Sequence, residues 1–357
     1  MLNQPSLYIH SSKKICYSIR ILKIFLFILI FLLLDSWLGY ELKKIDGAKD
    51  TYAKYKWHEF YNMPEESIDL VFLGSSHAYR SFDPFVFDKE IGLKSFNMGS
   101  PLQKPVESYY VLKETLEYQK PSVVIFEVYW AIFNDEKYFS TKIWNFDSMK
   151  PSPAKFGYLL NVFDTDQYLS ALFKSIRYHE NTGEYIKILT GKGSKKFTEI
   201  NYNIKPKNYK GKGFVIENKV AEKEDIVKEF KGRVKETTAE FRWDKKQIRY
   251  LDKIIKLCKE KNIELILVTA PVAPSYFDAM QKYKYNYEDI HNKVKEIALE
   301  NKLEYIDYNL KNSEAALFSD KDFSDNNHLN YEGAQKISLH LAKKLKIDYL
   351  EMYNRKK

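Results

Sequence analysis

Ser67-Ile68-Asp69-Leu70-Val71-Phe72-Leu73-Gly74-Ser75-Ser76-His77 is the stretch that decides the fold. Leu70 to Leu73 is an unbroken apolar run, too short for a helix and too uniform for a strand with one wet face. With Ser67 to Asp69 ahead of it, it reads as the first parallel strand, residues 67–73, covered on both sides. Gly74 then allows a sharp turn, and the serines after it are residues that open helices. A strand turning at once into a helix is the building unit of parallel α/β sheets.

The pattern recurs along the chain. Residues 93–98, 122–128, 263–269 and 303–308 read as four further strands, with Pro121 ahead of the third and Ala270-Pro271 closing the fourth. Amphipathic helical spacing lies between them at residues 106–118, 245–261, 285–301 and 331–346. Strands alternating with helices predict a five-stranded parallel sheet with helices on both faces and right-handed crossovers. Residues 131–242 break the rhythm. They read as a large insertion carrying helices and a mobile basic loop, with Gly191, Gly193, Gly211 and Gly213 near Lys205, Lys207, Lys210 and Lys212. Its alternatives are solvated surface or a cap over the site that meets an anionic polymer.

Residues 24–34 are apolar without interruption, and with their flanks residues 19–40 reach the roughly 20 needed to cross a bilayer. Lys13, Lys14, Arg20 and Lys23 precede this core, whereas Asp35, Glu41 and Asp46 balance Lys43 and Lys44 after it. The positive-inside bias makes residues 1–18 a cytoplasmic N-terminus and 19–40 a signal anchor. Residues 41–66 then form a charged stalk, and 67–350 an extracytoplasmic domain. A cleaved signal peptide is the rival, but Asp35-Ser36-Trp37-Leu38-Gly39 lacks small residues at the required spacing.

The chain has 357 residues, 45% apolar and 29% charged, enough for one large core. Its net charge of +9 lies on no recognisable nucleic-acid module, so no nucleic-acid partner is expected. The 28 Tyr and 23 Phe suit sugar stacking, or reflect codon bias alone. Cys16 and Cys258 have no disulfide or zinc partners, and Cys258 falls on the buried face of a predicted helix. No metal or cofactor is expected, and Asp322 reads as a solvated loop residue.

Asp325-Asn326-Asn327-His328-Leu329-Asn330, just before the last helix, supplies what Ser76 needs. A serine hydroxyl is a weak nucleophile until a base takes its proton. His328 is the candidate base, and Asp325, three residues earlier, can hold the imidazole tautomer. Ser76 at a helix start can turn its own N–H toward an oxyanion. Ser75 is the competing serine, and a simple helix cap is the bland reading of both. Gly99, after the second strand, is the candidate second oxyanion donor. His77, Asn97 and Tyr129 are candidate walls of the site. Glu288 and His291 read as a pair on a helix surface.

Ser76, Gly99, Asp325 and His328 in this order resemble the SGNH, or GDSL-like, hydrolase superfamily, as does the ending His328-Leu329-Asn330-x-x-Gly333-Ala334. The resemblance covers residues 67–134 and 245–346. It implies a flavodoxin-like three-layer α/β/α fold and serine-dependent acyl chemistry. The third block reads Glu127-Val128-Tyr129-Trp130 where the superfamily places an oxyanion-binding asparagine. That departure, with the anchor, resembles the membrane-anchored DltD and alginate O-acetylation type. By that likeness the partners are a multi-spanning membrane acyltransferase and a cell-surface polysaccharide or teichoic-type polymer. Esterase action on the same polymer and a non-catalytic binding role are the alternatives.

Overall fold

The computed structural model describes residues 6–45, 51–134, 139–193, 205–233, 241–282 and 286–355, without the side chains of 6–16, 51, 229–233 and 348–355. Two compact units emerge, Met1–Lys49 with Asp164–Asn201, and Asp50–Phe163 with Tyr202–Lys357. In chain order the first elements are α1 (Ser6–Lys43), α2 (Thr51–Tyr61), β1 (Leu70–Leu73), α3 (Ser76–Ser81), α4 (Pro84–Ile91), β2 (Ser95–Asn97), α5 (Pro105–Tyr118) and β3 (Val123–Glu127). Next come α6 (Phe139–Ser148), α7 (Pro153–Val162), α8 (Tyr168–Leu172), α9 (Lys174–Arg177), α10 (Thr182–Leu189), β4 (Tyr209–Gly211), β5 (Phe214–Val215) and α11 (Lys223–Arg233). The last are α12 (Lys245–Glu260), β6 (Glu264–Thr269), α13 (Pro274–Lys282), α14 (Tyr287–Asn301), β7 (Glu304–Asp307), α15 (Tyr308–Ala315) and α16 (Tyr331–Arg355).

The second unit is built on a five-stranded, wholly parallel sheet of order β2-β1-β3-β6-β7. The expected α/β class and strand set are therefore present; β1 and β6 start later than expected, and β2, β3 and β7 are shorter at both ends. β1 and β3 are buried at every residue, as their unbroken apolar runs require. Phe72 packs against Phe82 (centroids 5.3 Å apart) and Phe87 (4.7 Å), and Ile125 pairs with Ile266 across the sheet. On α12 one face buries Tyr250, Leu251, Ile254, Ile255 and Cys258. Burial pushes the Cys258 thiol up to about 12, so it stays an inert apolar filler. From β1 the chain steps outward to β2 and then back past β1 to β3. The carboxyl ends of β1 and β3 thus form the reversal crevice where open α/β sheets receive ligands.

Two expectations are corrected here. Residues 51–61 are not a stalk: α2 buries Ala53, Lys56, Trp57 and Phe60, one apolar face hidden among charges. The long insertion carries helices α6 to α11, and they divide between the two units. α7 packs on α5, while residues 164–201 belong to the other unit. The basic loop, where described, is the β4–β5 hairpin. Lys212 O accepts from Asn97 N (2.8 Å), and Lys212 pairs with Asp88. At Gly213, φ is +79° and a Cβ would lie 1.8 Å from Asn97 O, so only glycine fits there. Residues 194–204 of that loop lie outside the described residues.

In the first unit α1 holds one span, Tyr17–Lys43, long and apolar enough to cross a membrane. Asp35 sits within it, and its carboxylate accepts from Lys174 N (3.1 Å), Ser175 N (3.1 Å) and Ser175 Oγ (2.5 Å). One turn earlier Phe31 meets Phe173 edge-on, with centroids 5.5 Å apart. Leu169, Leu172, Ile176, Ile186 and Leu189 on α8 to α10 are exposed.

Candidate active site

The turn after β1 is shaped by crowding. Gly74 has φ +130°, and a Cβ there would stand 2.7 Å from Glu127 Cβ and 2.8 Å from Glu127 O. Only glycine permits that backbone conformation and that approach of β1 to β3. Ser75 follows as the N-cap of α3, its Oγ accepting from His77 N (3.1 Å). The same hydroxyl donates to Glu127 Oε2 (2.7 Å), and Ser75 N donates to that oxygen too (3.2 Å). Ser75 is fully buried and acts as a brace. Ser76, the first residue of α3, is half-buried, and its N–H makes no hydrogen bond among the described residues.

Ser76 Oγ lies 2.8 Å from His328 Nε2, across 252 residues of chain. His328 Nδ1 lies 2.9 Å from Asp325 Oδ2 and 3.1 Å from Oδ1. With Asp325 accepting, Nδ1 carries the proton and Nε2 is left to take one from Ser76. Asp325 also accepts from the amides of Asn327 (3.0 Å) and His328 (2.7 Å). Burial would raise its carboxyl, but the hydrogen bond and charge of His328 and these two amides hold it well below the usual carboxylate range. The loop is fixed at both ends. Ser324 N donates to His328 O (2.8 Å) and Ala273 N to Asn326 O (3.0 Å).

The expected walls resolve differently. His77 is buried, its ring stacked 3.9 Å from Tyr129 and 4.8 Å from His328, so it backs the base. Burial, then the neighbouring His328, holds it well below the ordinary histidine value, which keeps it neutral. Tyr129 stands behind His77, and its hydroxyl accepts from Asn327 Nδ2 (3.1 Å). Asn97 is no wall: it is fully buried, with Nδ2 donating to Ala78 O (2.8 Å) and Phe82 O (3.1 Å). Its Oδ1 accepts from Gly99 N (3.0 Å). The Gly99 N–H is therefore held inside a side-chain-closed turn and is not turned toward Ser76, contrary to its expected oxyanion role.

Three residues that sequence reasoning passed over surround this centre. Glu127, read only as a missing asparagine, braces Ser75, and burial pushes its carboxyl up to about 7. Lys56 is fully buried and donates to Gly99 O (2.8 Å), Ser100 Oγ (2.8 Å) and Met98 O (3.2 Å). Burial lowers its amine to about 7, opposed by Glu107. Arg80 lies four residues after Ser76, and that spacing was its one available signal. Two other readings change. His291 bonds Asp307 Oδ2 (2.8 Å) instead of forming a surface pair with Glu288. Asp322 is buried, accepting from Ser319 N (2.9 Å) and Lys336 Nζ (2.7 Å). Among the described residues no cluster of His, Cys, Asp and Glu could hold a metal ion.

The chain belongs to the family described as "Protein of unknown function (DUF1574)", whose profile matches residues 24–345. Among solved structures it is similar to a candidate acylhydrolase from Bacteroides fragilis, with 14% identity, a TM-score of 0.38, and coverage of 82% of this chain and 94% of that one. It is also similar to a GDSL-like lipase from Bacteroides thetaiotaomicron, with 12% identity, a TM-score of 0.37, and coverage of 84% and 99%. Among curated proteins none matches the sequence.

Proposed function

We propose that this protein is a membrane-anchored, extracytoplasmic acyltransferase of the SGNH type that esterifies a cell-surface polysaccharide or teichoic-type polymer through an acyl-serine. The observation that carries it is the Ser76 Oγ–His328 Nε2 contact of 2.8 Å with Asp325 aligned behind it. Ser76 gives its proton to His328 Nε2 while Oγ attacks the acyl carbonyl. The tetrahedral oxyanion accepts from the Ser76 N–H, and the leaving group departs with the proton from Nε2. His328 Nε2 then takes the proton of a polymer hydroxyl as that oxygen attacks the acyl-serine, and returns it to Ser76 Oγ as the acyl–Oγ bond breaks. Asp325 holds the tautomer and stabilises the imidazolium between the two half-reactions.

The anchor is the apolar span in α1, oriented by the basic residues before it. The exposed Leu169, Leu172, Ile176, Ile186 and Leu189 suit the membrane surface next to such a span. The multi-spanning acyltransferase that would deliver acyl groups is part of the same proposal.

A serine-directed fluorophosphonate probe tests the chemistry. The folded protein is expected to be labelled at Ser76, and Ser76→Ala is expected to be blank. An unlabelled folded protein, or equal labelling of both, overturns the reading. Surface ester tests the direction of transfer: cells lacking the protein should carry less, and more ester would make it an esterase.

A further inference from the structure

Among the described residues, Arg80 is a cation beside the proposed nucleophile whose bonding is incomplete. α3 places it four residues after Ser76, one turn on and along the same face. Its side chain is 25% exposed, and Nη1 lies 3.8 Å from Asp325 Oδ2, beyond hydrogen-bond length. Nε is buried without a partner, and among the described residues the guanidinium donates no hydrogen bond. Asp325 pairs with it only through this long contact: Oδ1 accepts from the amides of Asn327 and His328, and Oδ2, the oxygen nearer Arg80, accepts from His328 Nδ1. A guanidinium carries five donors in a planar fork, and leaving them unmade in a partly buried place is unfavourable.

A structural arginine would bond the backbone or face a carboxylate in a two-pronged pair. Arg177, on α9, does the former, donating from Nε to Ser170 O (2.7 Å) and from Nη2 to Ala171 O (2.7 Å). Arg80 does neither. Nearby, the Tyr52 hydroxyl is buried beside Tyr79, and the Arg80 charge acts on it. The Tyr52 ring stands 5.4 Å from Tyr79 and 5.8 Å edge-on from Trp144. The guanidinium thus lies beside the triad, with Nη1 near Asp325, and its charge reaches the Tyr52 hydroxyl.

We propose that Arg80 receives an anionic group of the substrate polymer, a carboxylate or a phosphate, and so selects charged over neutral glycans. The geometry fits an oxyanion with two terminal oxygens, taken in a fork by the guanidinium. This rests on the acyl-serine reading and names the substrate class for that site.

Binding is measured on the full-length protein in detergent at fixed ionic strength, carrying Ser76→Ala so that no turnover intervenes. The probes are glycerol phosphate, methyl glucuronide and neutral methyl glucoside, followed by calorimetry. At least one anion is expected to bind about tenfold or more tightly than the neutral sugar. Adding Arg80→Met should erase that preference, and Arg80→Lys should restore part of it. Preference for the phosphate points to a phosphodiester polymer, and for the glucuronide to a uronic acid polymer. Equal binding of all three probes, or an anion preference that survives in Arg80→Met, overturns the proposal. If Arg80→Met does not fold, the comparison of probes on Ser76→Ala and its Arg80→Lys derivative decides it. Failure of the acyl-serine reading is seen separately, as absent fluorophosphonate labelling of the wild type.

Discussion

Replacing Glu127 by glutamine should change how stability depends on pH. Glu127 is fully buried at the end of β3, and its charged form is opposed mainly by that burial. Its carboxyl moves from an ordinary 4.5 to about 7 on folding. A raised acid value means that the folded state holds a proton which the unfolded chain releases between these two values. Its stabilising effect is complete below about pH 4.5 and is lost as the pH rises through about 7. The gap corresponds to about 3 kcal/mol. Glutamine keeps an oxygen for Ser75 N and Oγ but cannot ionise. Whatever it loses in local fit is independent of pH. Other groups act over nearby ranges: Glu107 is likewise raised to about 7 by burial, whereas neutral His77 favours folding as the pH rises. The wild-type profile alone therefore decides nothing, and the difference between the two proteins isolates Glu127. Chemical denaturation of both proteins in detergent at pH 5 and pH 8 measures it. Relative to wild type, Glu127→Gln should gain about 2–3 kcal/mol between these values. Parallel profiles would refute the buried, proton-holding Glu127.

Asp325→Asn should leave the fold intact and lower the acyl-transfer rate about 10⁴-fold, because the amide no longer holds the working tautomer; a loss under tenfold in a rate assay would remove Asp325 from the proposed triad. Gly74→Ala should lower stability by about 1–3 kcal/mol from the φ of +130° alone, with more from the Glu127 contact, as thermal denaturation would show. Lys56→Met removes a cation that burial holds near 7 and loosens the Met98–Ser100 turn; its stability relative to wild type should be greatest below pH 7, where wild type must keep the buried amine charged, and should fall as the pH rises toward 10.5. Protease added outside intact spheroplasts should digest the Asp50–Lys357 region, and digestion only after lysis would reverse the orientation.

The sheet was legible because its strands are buried on both faces. Leu70–Leu73 and Val123–Glu127 advertise this as apolar runs, and no competing period obscures them. Ser76, Asp325 and His328 were legible from residue type and from position at strand and helix borders. What stayed hidden depends on contacts far apart in sequence. Asn97 looks like a polar lining residue, yet its side chain closes a turn on Gly99 that no spacing announces. Lys54, Lys56 and Glu59 give α2 the look of a solvated stalk, although Ala53, Trp57 and Phe60 share a buried face. Glu127 signals only an absence when compared with a motif. Its partner Ser75 lies 52 residues earlier and comes within 2.7 Å through strand register alone.

The oxyanion side of the site bears on what kind of catalyst it can be. Gly99 N–H is held by Asn97, the third strand ends in a carboxylate, Glu127, and among the described residues the Ser76 amide is an unbonded backbone N–H beside Ser76 Oγ. Each missing donor can lower the rate of such chemistry about 10²–10³-fold. A hydrolase acting on any ester in water would suffer that loss in full. A transferase need not, because binding energy from parts of a large acceptor remote from the reacting atoms can be used to lower the barrier. On the proposed reading the acyl-serine outlasts encounters with water and turns over when a polymer hydroxyl is held in place. Sparse oxyanion donors and an incompletely bonded Arg80 then follow from one requirement: recognition of the acceptor sets the rate.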